Sequence, residues 1–389
     1  MRDDPARFRA QFPALADTVH LASCSQGALS SRLAYALQEI GFSLRDKGAP
    51  WAEWTAQVDR ARERFARFIG AGPGEVAVLS CASEAAFQVA SSLDWSRRAG
   101  VVTTDLEFPS IAQVWLAQRA RGAEVRVAGD NGTTVDADGY AERIDERVNL
   151  VSVPLACYGN GARPPVREIA RLAHERGARV FVDAYQAVGV LPVDVRELGC
   201  DYLVSGSLKY LLGLPGIAFL YVRGGLSHQR DPELTGWFGR RDPFAFDPRT
   251  LDFPSDARRF EVGTPPVPSA YAANAGFDLL EPLDRAEVAR HVSELTGELT
   301  ERLVEAGELV ASPTDDAGRG PQVALVDEDP DALAEWLARR RIVTAPRGRV
   351  LRLSLHYYND RTDLDAVTEA VRDYRCLAAS RCALGQRTS

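Results

Sequence analysis

Two segments of this chain bring together residue types that can do chemistry. FVDAYQAVGVLPVDV closes an apolar run with Asp183, and GCDYLVSGSLKYLLGLPGIAFLYV carries Lys209 between small residues and the Gly213–Gly216 turn. A carboxylate buried at a strand end needs a partner, because an unpaired charge in a low dielectric is costly. A lysine facing the same cleft loses hydration of its ammonium, its pKa falls, and the free amine can attack a carbonyl carbon. A structural Asp–Lys ion pair near a sheet edge reads equally well from residue types alone.

Other stretches carry weaker signals of the same kind. SCASEAAF (Ser80–Phe87) reads as a strand end running into a helix, with Ser83 as N-cap. A helix start offers unpaired N–H groups and a partial positive charge to an anion, although a capped helix with Glu84 in its first turn needs no ligand. Arg352, in RLSLHYYND, sits on an expected strand, where a lone arginine is usually surface. RRFEVGTPP (Arg258–Pro266) also reads as a Pro-rich connection between domains.

The elements that must position these residues alternate. Trp54 to Ile69 carries a helical stripe of Val58, Ala61, Phe65 and Phe68. GAGPG (Gly70–Gly74) follows a helix and precedes a strand, the reverse of a pyrophosphate loop, so it reads as a turn. Short apolar runs at Glu75–Ser80, Val101–Asp105, Glu124–Val127, Leu150–Leu155, Val180–Asp183, Tyr202–Ser205 and Ile217–Val222 read as strands, with helical patterns such as Pro165–Glu175 between them. This alternation implies an α/β fold with a mostly parallel sheet, whose ligands sit beyond the carboxyl ends of the strands. Asp183, Ser205 and Ser207 fall at such ends. Ala273–Ala306 reads as a long helical stretch broken near Pro282, ahead of a smaller α+β unit with strands near Gln322–Val326 and Val350–Ser354. The expected division is an N-terminal arm (1–20), a large domain (21–265), a small C-terminal domain (266–377) and a loose tail (378–389).

Composition excludes several classes. The chain has 389 residues, 26% of them charged, and a formal net charge of −8, which disfavours nucleic acid as a partner. Six cysteines without CxxC spacing read as reduced thiols in a cytoplasm, and five histidines without HExxH give no support for a metal site. No apolar run approaches ~20 residues, so no membrane span is expected, and MRDDPARFRAQFPAL does not read as a signal peptide.

Along about residues 20–370 the chain resembles the class V aminotransferase family of fold-type I pyridoxal phosphate (PLP) enzymes. That family includes cysteine desulfurases, kynureninase-like hydrolases and isopenicillin N epimerase-like enzymes. The resemblance implies PLP as cofactor, held by Lys209 as a Schiff base, with Asp183 on the protonated pyridine nitrogen and Gln186 near the ring hydroxyl. In DLEFPSIAQVW (Asp105–Trp115) it makes Phe108 the residue stacked on the ring, where desulfurases carry His. Tyr158, in CYGNGARPPV, replaces a common Asn and is placed near the ring hydroxyl. Ala82 and Ser83 stand where relatives have a hydroxyl pair for the phosphate, and Ser207 is a further phosphate donor. Leu208 stands where relatives often carry His or Tyr. RRFEVGTPP resembles the R-F-E-x-G-T-P element whose threonine, here Thr264, reaches the phosphate of the neighbouring subunit. That implies a homodimer with shared active sites.

The same resemblance makes Arg352 the binder of an amino-acid carboxylate, with Arg347, Gln26 and the Ser23–Gly27 loop as further substrate-site residues. Trp237 and Phe238, in TGWFGRRDPF, resemble the site-lining segment of kynureninase-like members. IVTAPRGRVLR (Ile342–Arg352) lacks the persulfide-accepting Cys of desulfurases. The first expectation is therefore a lyase acting by C–S β-elimination on a cysteine-derived substrate through a Cα carbanion. Aminotransfer, epimerisation and kynureninase-type hydrolysis are the alternatives. A ligand-binding protein on a PLP fold is the non-enzyme reading, and retention of Lys209 opposes it.

Overall fold

The computed structural model describes residues 4–226 and 230–385, with side chains described to residue 377. Residues 1–3 of the expected arm and 386–389 of the expected tail lie outside the described residues. A short helix, Pro5–Arg9, and strand β1 (Val19–His20) open the chain.

The central sheet has seven strands: β2 (Val76–Leu79), β3 (Gly100–Thr104), β4 (Glu124–Ala128), β5 (Val148–Pro154), β6 (Arg179–Asp183), β7 (Tyr202–Gly206) and β8 (Ala218–Val222). Their order is β2-β8-β7-β6-β5-β3-β4, and only β8 runs antiparallel to its neighbours. The inner strands are apolar on both faces because helices cover both faces. Trp115, from the helix Pro109–Ala117, packs edge-on against Phe181 at 5.1 Å on one face. Phe65, from the helix Trp51–Phe68, stacks on Phe219 at 4.4 Å on the other. The edge strand β4 has an exposed Glu124 and a buried Ala128.

The Gly70–Gly74 stretch is the turn read from its sequence: Gly70 takes φ +70, a short 3-10 turn follows, and β2 begins. The long C-terminal helical stretch is two helices, Val267–Leu280 and Arg285–Glu305, separated around Pro282, with Asp284 capping the second. The first does not open the small unit at residue 266. It packs on the helices Ser31–Lys47 and Trp51–Phe68, where Arg32 and Arg64 each reach Asp278 at 2.7 Å.

The small unit is built on β9 (Gln322–Val326), β11 (Ala345–Arg347) and β12 (Val350–Ser354), an antiparallel sheet ordered β11-β12-β9. The arm packs onto it. β1 pairs in parallel with β10 (Ile342–Val343), and Arg9 binds Asp363 at 2.8 Å. The last helix, Arg361–Gly385, continues through residues expected to form a loose tail. Among the described residues, no helix is long and apolar enough to cross a membrane.

Candidate active site

The parallel strands deliver their carboxyl ends to one edge of the sheet, and a cleft of about 360 Å³ lies there. β6 ends in Asp183, β3 leads into Glu107 and Phe108, β5 into Ala156 and Tyr158, β7 into Leu208 and Lys209, and β2 into Ser80–Ser83. The small unit contributes Arg347 and Arg352 from the β11–β12 hairpin.

Asp183 is buried, and its Oδ1 accepts the Tyr185 N–H at 2.9 Å. Burial raises its carboxyl above the ordinary range, while that N–H and the charge of Lys209 oppose the rise. Among the described residues no ion pair engages Lys209, so the structural Asp–Lys bridge does not form. The Lys209 Nζ lies 4.5 Å from the Tyr185 ring centroid and 5.4 Å from that of Phe108. Burial pushes its ammonium down to about 8, Arg352 and Arg347 push the same way, and Asp183 opposes them.

The loop carrying Lys209 is held tightly. Leu212 takes φ 59, a conformation that a β-carbon disfavours, and the turn is closed by Leu212 N–H to the Lys209 carbonyl and Gly213 N–H to the Ser207 carbonyl. Gly27 has no Cβ, which lets the N-terminal segment lie directly on the Lys209 carbonyl.

Two buried polar atoms in this cleft have no partner. Gln186 gives its Nε2 to the Cys24 carbonyl at 3.1 Å and leaves Oε1 open. Arg352 gives Nε to the Ala345 carbonyl at 3.1 Å and Nη1 to the Tyr158 carbonyl at 3.0 Å, and leaves Nη2 open. Among the described residues no carboxylate neutralises Arg352, although it is only 2% exposed. A buried guanidinium with a free N–H is a site for a ligand's anionic group. The cleft thus offers an anion for a ring nitrogen, an aromatic wall at Phe108, an amine for a carbonyl and a helix start for a phosphate. This set fits PLP.

At the helix start the cap position belongs to Cys81, not Ser83, and Cys81 makes no side-chain cap. Glu84 turns back to Ser80 instead, accepting its N–H at 2.8 Å. The first-turn N–H groups around Ala82 and Ser83 therefore face the cleft without a capping oxygen.

Several expected site residues do other work. The Ser207 Oγ is fully buried and donates to the Leu214 carbonyl at 2.8 Å, so it is not a phosphate donor. Gln26 gives its Nε2 to the Gly213 carbonyl at 3.1 Å, and Ser25 lines the cleft in its place. Trp237 lies in a separate aromatic cluster, 5.8 Å from Trp51 and 4.5 Å from Phe238, because the chain after β8 carries it away from the strand ends. Thr264 is exposed and outside this cleft. Tyr158 lies edge-on to Phe108 at 5.2 Å, as a wall of the cleft.

Glu107, Tyr185 and Cys81 also line the cleft and were not singled out from sequence, whereas Cys24 lines it from within the expected Ser23–Gly27 loop. Glu107 directly precedes Phe108, and Tyr185 directly precedes Gln186, so adjacency was the available signal. The Tyr185 hydroxyl packs so closely on Gly206 that a Cβ there has no room.

The family described as Aminotransferase class-V matches residues 29–367. The chain is 36% identical over 360 residues to the uncharacterized aminotransferase YcbU of Bacillus subtilis, covering 92% of this chain and 95% of that protein. It is 32% identical over 341 residues to a kynureninase of Deinococcus radiodurans, covering 83% and 81%. The structure is similar to a cysteine desulfurase from Thermococcus onnurineus, with TM-score 0.87, 22% identity and coverage of 96% and 98%.

Proposed function

The chain belongs to the class V aminotransferase family of PLP-dependent enzymes, and from that premise we propose that it is a lyase cleaving a β-substituent, with sulfur at the β-carbon, from a cysteine-derived amino acid. Lys209 would hold the cofactor aldehyde, Asp183 its pyridine nitrogen, Gln186 and Tyr158 the ring hydroxyl side, Phe108 the ring face, and the Ala82–Ser83 helix start its phosphate. When bound, the cofactor supplies an electron sink for the pair released at Cα. Arg352 takes the substrate carboxylate on its open Nη2, with Arg347 at the rim. Lys209 would then remove the Cα proton, the β-carbon–sulfur bond would break with its electron pair on sulfur, the leaving thiolate would take up that proton, and the three-carbon enamine released would be hydrolysed by water to pyruvate and ammonia.

The observation that carries this reading is a Lys209 that no ion pair engages among the described residues, facing the same cleft as Arg352 with its open Nη2. The β11–β12 hairpin between Arg347 and Arg352 contains no cysteine to accept sulfur there. Thr264, exposed and outside this cleft, supports a homodimer in which it serves the partner's phosphate site.

Incubation with S-substituted cysteines tests the reaction. Release of thiol and pyruvate with the cofactor unchanged is the expected result, and conversion of the cofactor to its amine form would replace it with aminotransfer. Kynureninase-type hydrolysis is a second reading, favoured by the 32% identical relative and by Tyr158 against Phe108. Consumption of kynurenine without thiol release from any cysteine conjugate would establish it instead.

Arg352 gives a separable prediction. Charge-assisted hydrogen bonds to a carboxylate contribute about 3 kcal/mol, or about 10²-fold. Arg352→Gln is expected to raise KM for the amino acid by about that factor and to leave the visible spectrum of the bound cofactor unchanged. An unaltered KM would remove Arg352 from substrate binding.

A further inference from the structure

Glu107 takes part in none of the steps above, yet it lies at the floor of the same cleft. It follows β3, is 3% exposed, and neighbours Asp183 at the end of β6. Its Oε1 accepts the Phe108 N–H at 2.9 Å, and its Oε2 lies 3.0 Å from the Ser152 Oγ on β5. Among the described residues no arginine or lysine pairs with it. The titratable groups facing it are Asp183, the phenol of Tyr140 and the thiol of Cys157. Tyr140 already gives its hydroxyl to the Ser152 carbonyl at 3.1 Å. Burial pushes the Tyr140 and Cys157 groups up, so both stay neutral at ordinary pH. Asp183 is then the neighbour able to carry charge: burial raises its carboxyl too, but the Tyr185 N–H and Lys209 favour its anion.

Two buried carboxylates on either side of β5, with no cation against Glu107 among the described residues, cannot both ionise without a large desolvation and repulsion cost. We propose that Glu107 enters the cofactor site as a neutral carboxylic acid, a positioning residue that fixes Phe108 and Ser152 and leaves Asp183 the single anion for the ring nitrogen. Its carbonyl oxygen accepts the Phe108 N–H, which holds the residue forming the aromatic wall. In that state its hydroxyl donates to the Ser152 Oγ, reversing the bond that the serine gives to a carboxylate across the same 3.0 Å. Burial first, and then the Asp183 charge, push the carboxyl up to about 8, against the Phe108 N–H and the Ser152 hydroxyl, which favour the charged form. The role toward the ring nitrogen rests on the cleft being the PLP site, whereas the protonation itself does not.

Glu107→Gln is the diagnostic variant, because a glutamine amide repeats both hydrogen bonds of the neutral acid and none of the carboxylate's charge. Infrared spectra of cofactor-free and cofactor-loaded protein at neutral pH are expected to show the carbonyl stretch of a protonated carboxylic acid. The band should vanish in Glu107→Gln and titrate away in the wild type near pH 8.

Melting against pH gives a second readout. The folded carboxyl titrates above its unfolded value, so between about 4.5 and about 8 the folded chain holds a proton the unfolded chain has released. Wild-type stability therefore falls with rising pH across that window, and the melting advantage of Glu107→Gln should widen there and level off above it. If Glu107→Gln does not fold, Ser152→Ala serves: loss of the acceptor should move the acid carbonyl band without abolishing it.

A wild type lacking the band, a band that persists in Glu107→Gln, or a melting difference flat with pH would overturn the proposal. Failure of the cofactor reading looks different: no visible band forms after PLP is supplied, with the infrared and melting results intact.

Discussion

Lys209→Ala is expected to lose turnover by at least about 10³-fold, the upper range for a positioned general acid–base group, because the same amine also holds the cofactor. Borohydride reduction followed by gel filtration separates the two cases. The wild type should lose its visible band yet retain the cofactor through a reduced carbon–nitrogen bond to Lys209, and the variant should release it. The ammonium titrates near 8 in the folded chain, below the unfolded value of 10.5, so the folded state gives up its proton first. Wild-type stability therefore rises with pH between about 8 and 10.5, and the variant should lack that slope while melting no lower at neutral pH. Turnover within tenfold of wild type would remove Lys209 from the chemistry.

Asp183→Asn is expected to lower kcat by about 10²–10³-fold, the range for removing one partner of a buried charge pair at 3–5 kcal/mol. The asparagine oxygen can still accept the Tyr185 N–H, so shape and that hydrogen bond are kept. What disappears is the anion that would hold the pyridine nitrogen protonated. A second effect follows in the cofactor-free protein. Asp183 holds the Lys209 ammonium up against burial, so its neutralisation should move the lysine's titration below about 8. The pH dependence of amine acylation at Lys209 measures this. A titration that moves upward would contradict the arrangement of charges in the cleft.

Residues at strand ends were the most legible part of the chemistry. Asp183 closes an unbroken apolar run, and in a parallel sheet such a run can only end at the carboxyl edge, where Lys209, Phe108 and Tyr158 also emerge. Periodicity placed all seven strands of the central sheet to within a residue or two. Ser207 shows the limit. It sits in the motif beside Lys209, yet it spends its hydroxyl on Leu214, because the turn folds back and the left-handed Leu212 closes it. Gln26 is diverted likewise to Gly213, on a segment that only the folded chain brings near. Glu107 was passed over because a glutamate in a loop is normally solvated, and its burial depends on β5, β6 and the helix Ala137–Ala141 together.

The connection near residue 265 shows a related effect. Pro265 and Pro266 mark a break in the chain, but the helix after them returns to the large unit, where Arg32 and Arg64 meet Asp278. By itself, the amino-acid sequence determined the order and type of the elements and the side chains presented at the strand ends, since both follow from local periodicity and turn chemistry. The tertiary structure alone decided which polar groups are buried, which have partners and which remain open to a ligand. Those properties depend on neighbours far apart in the chain, and no local pattern encodes them.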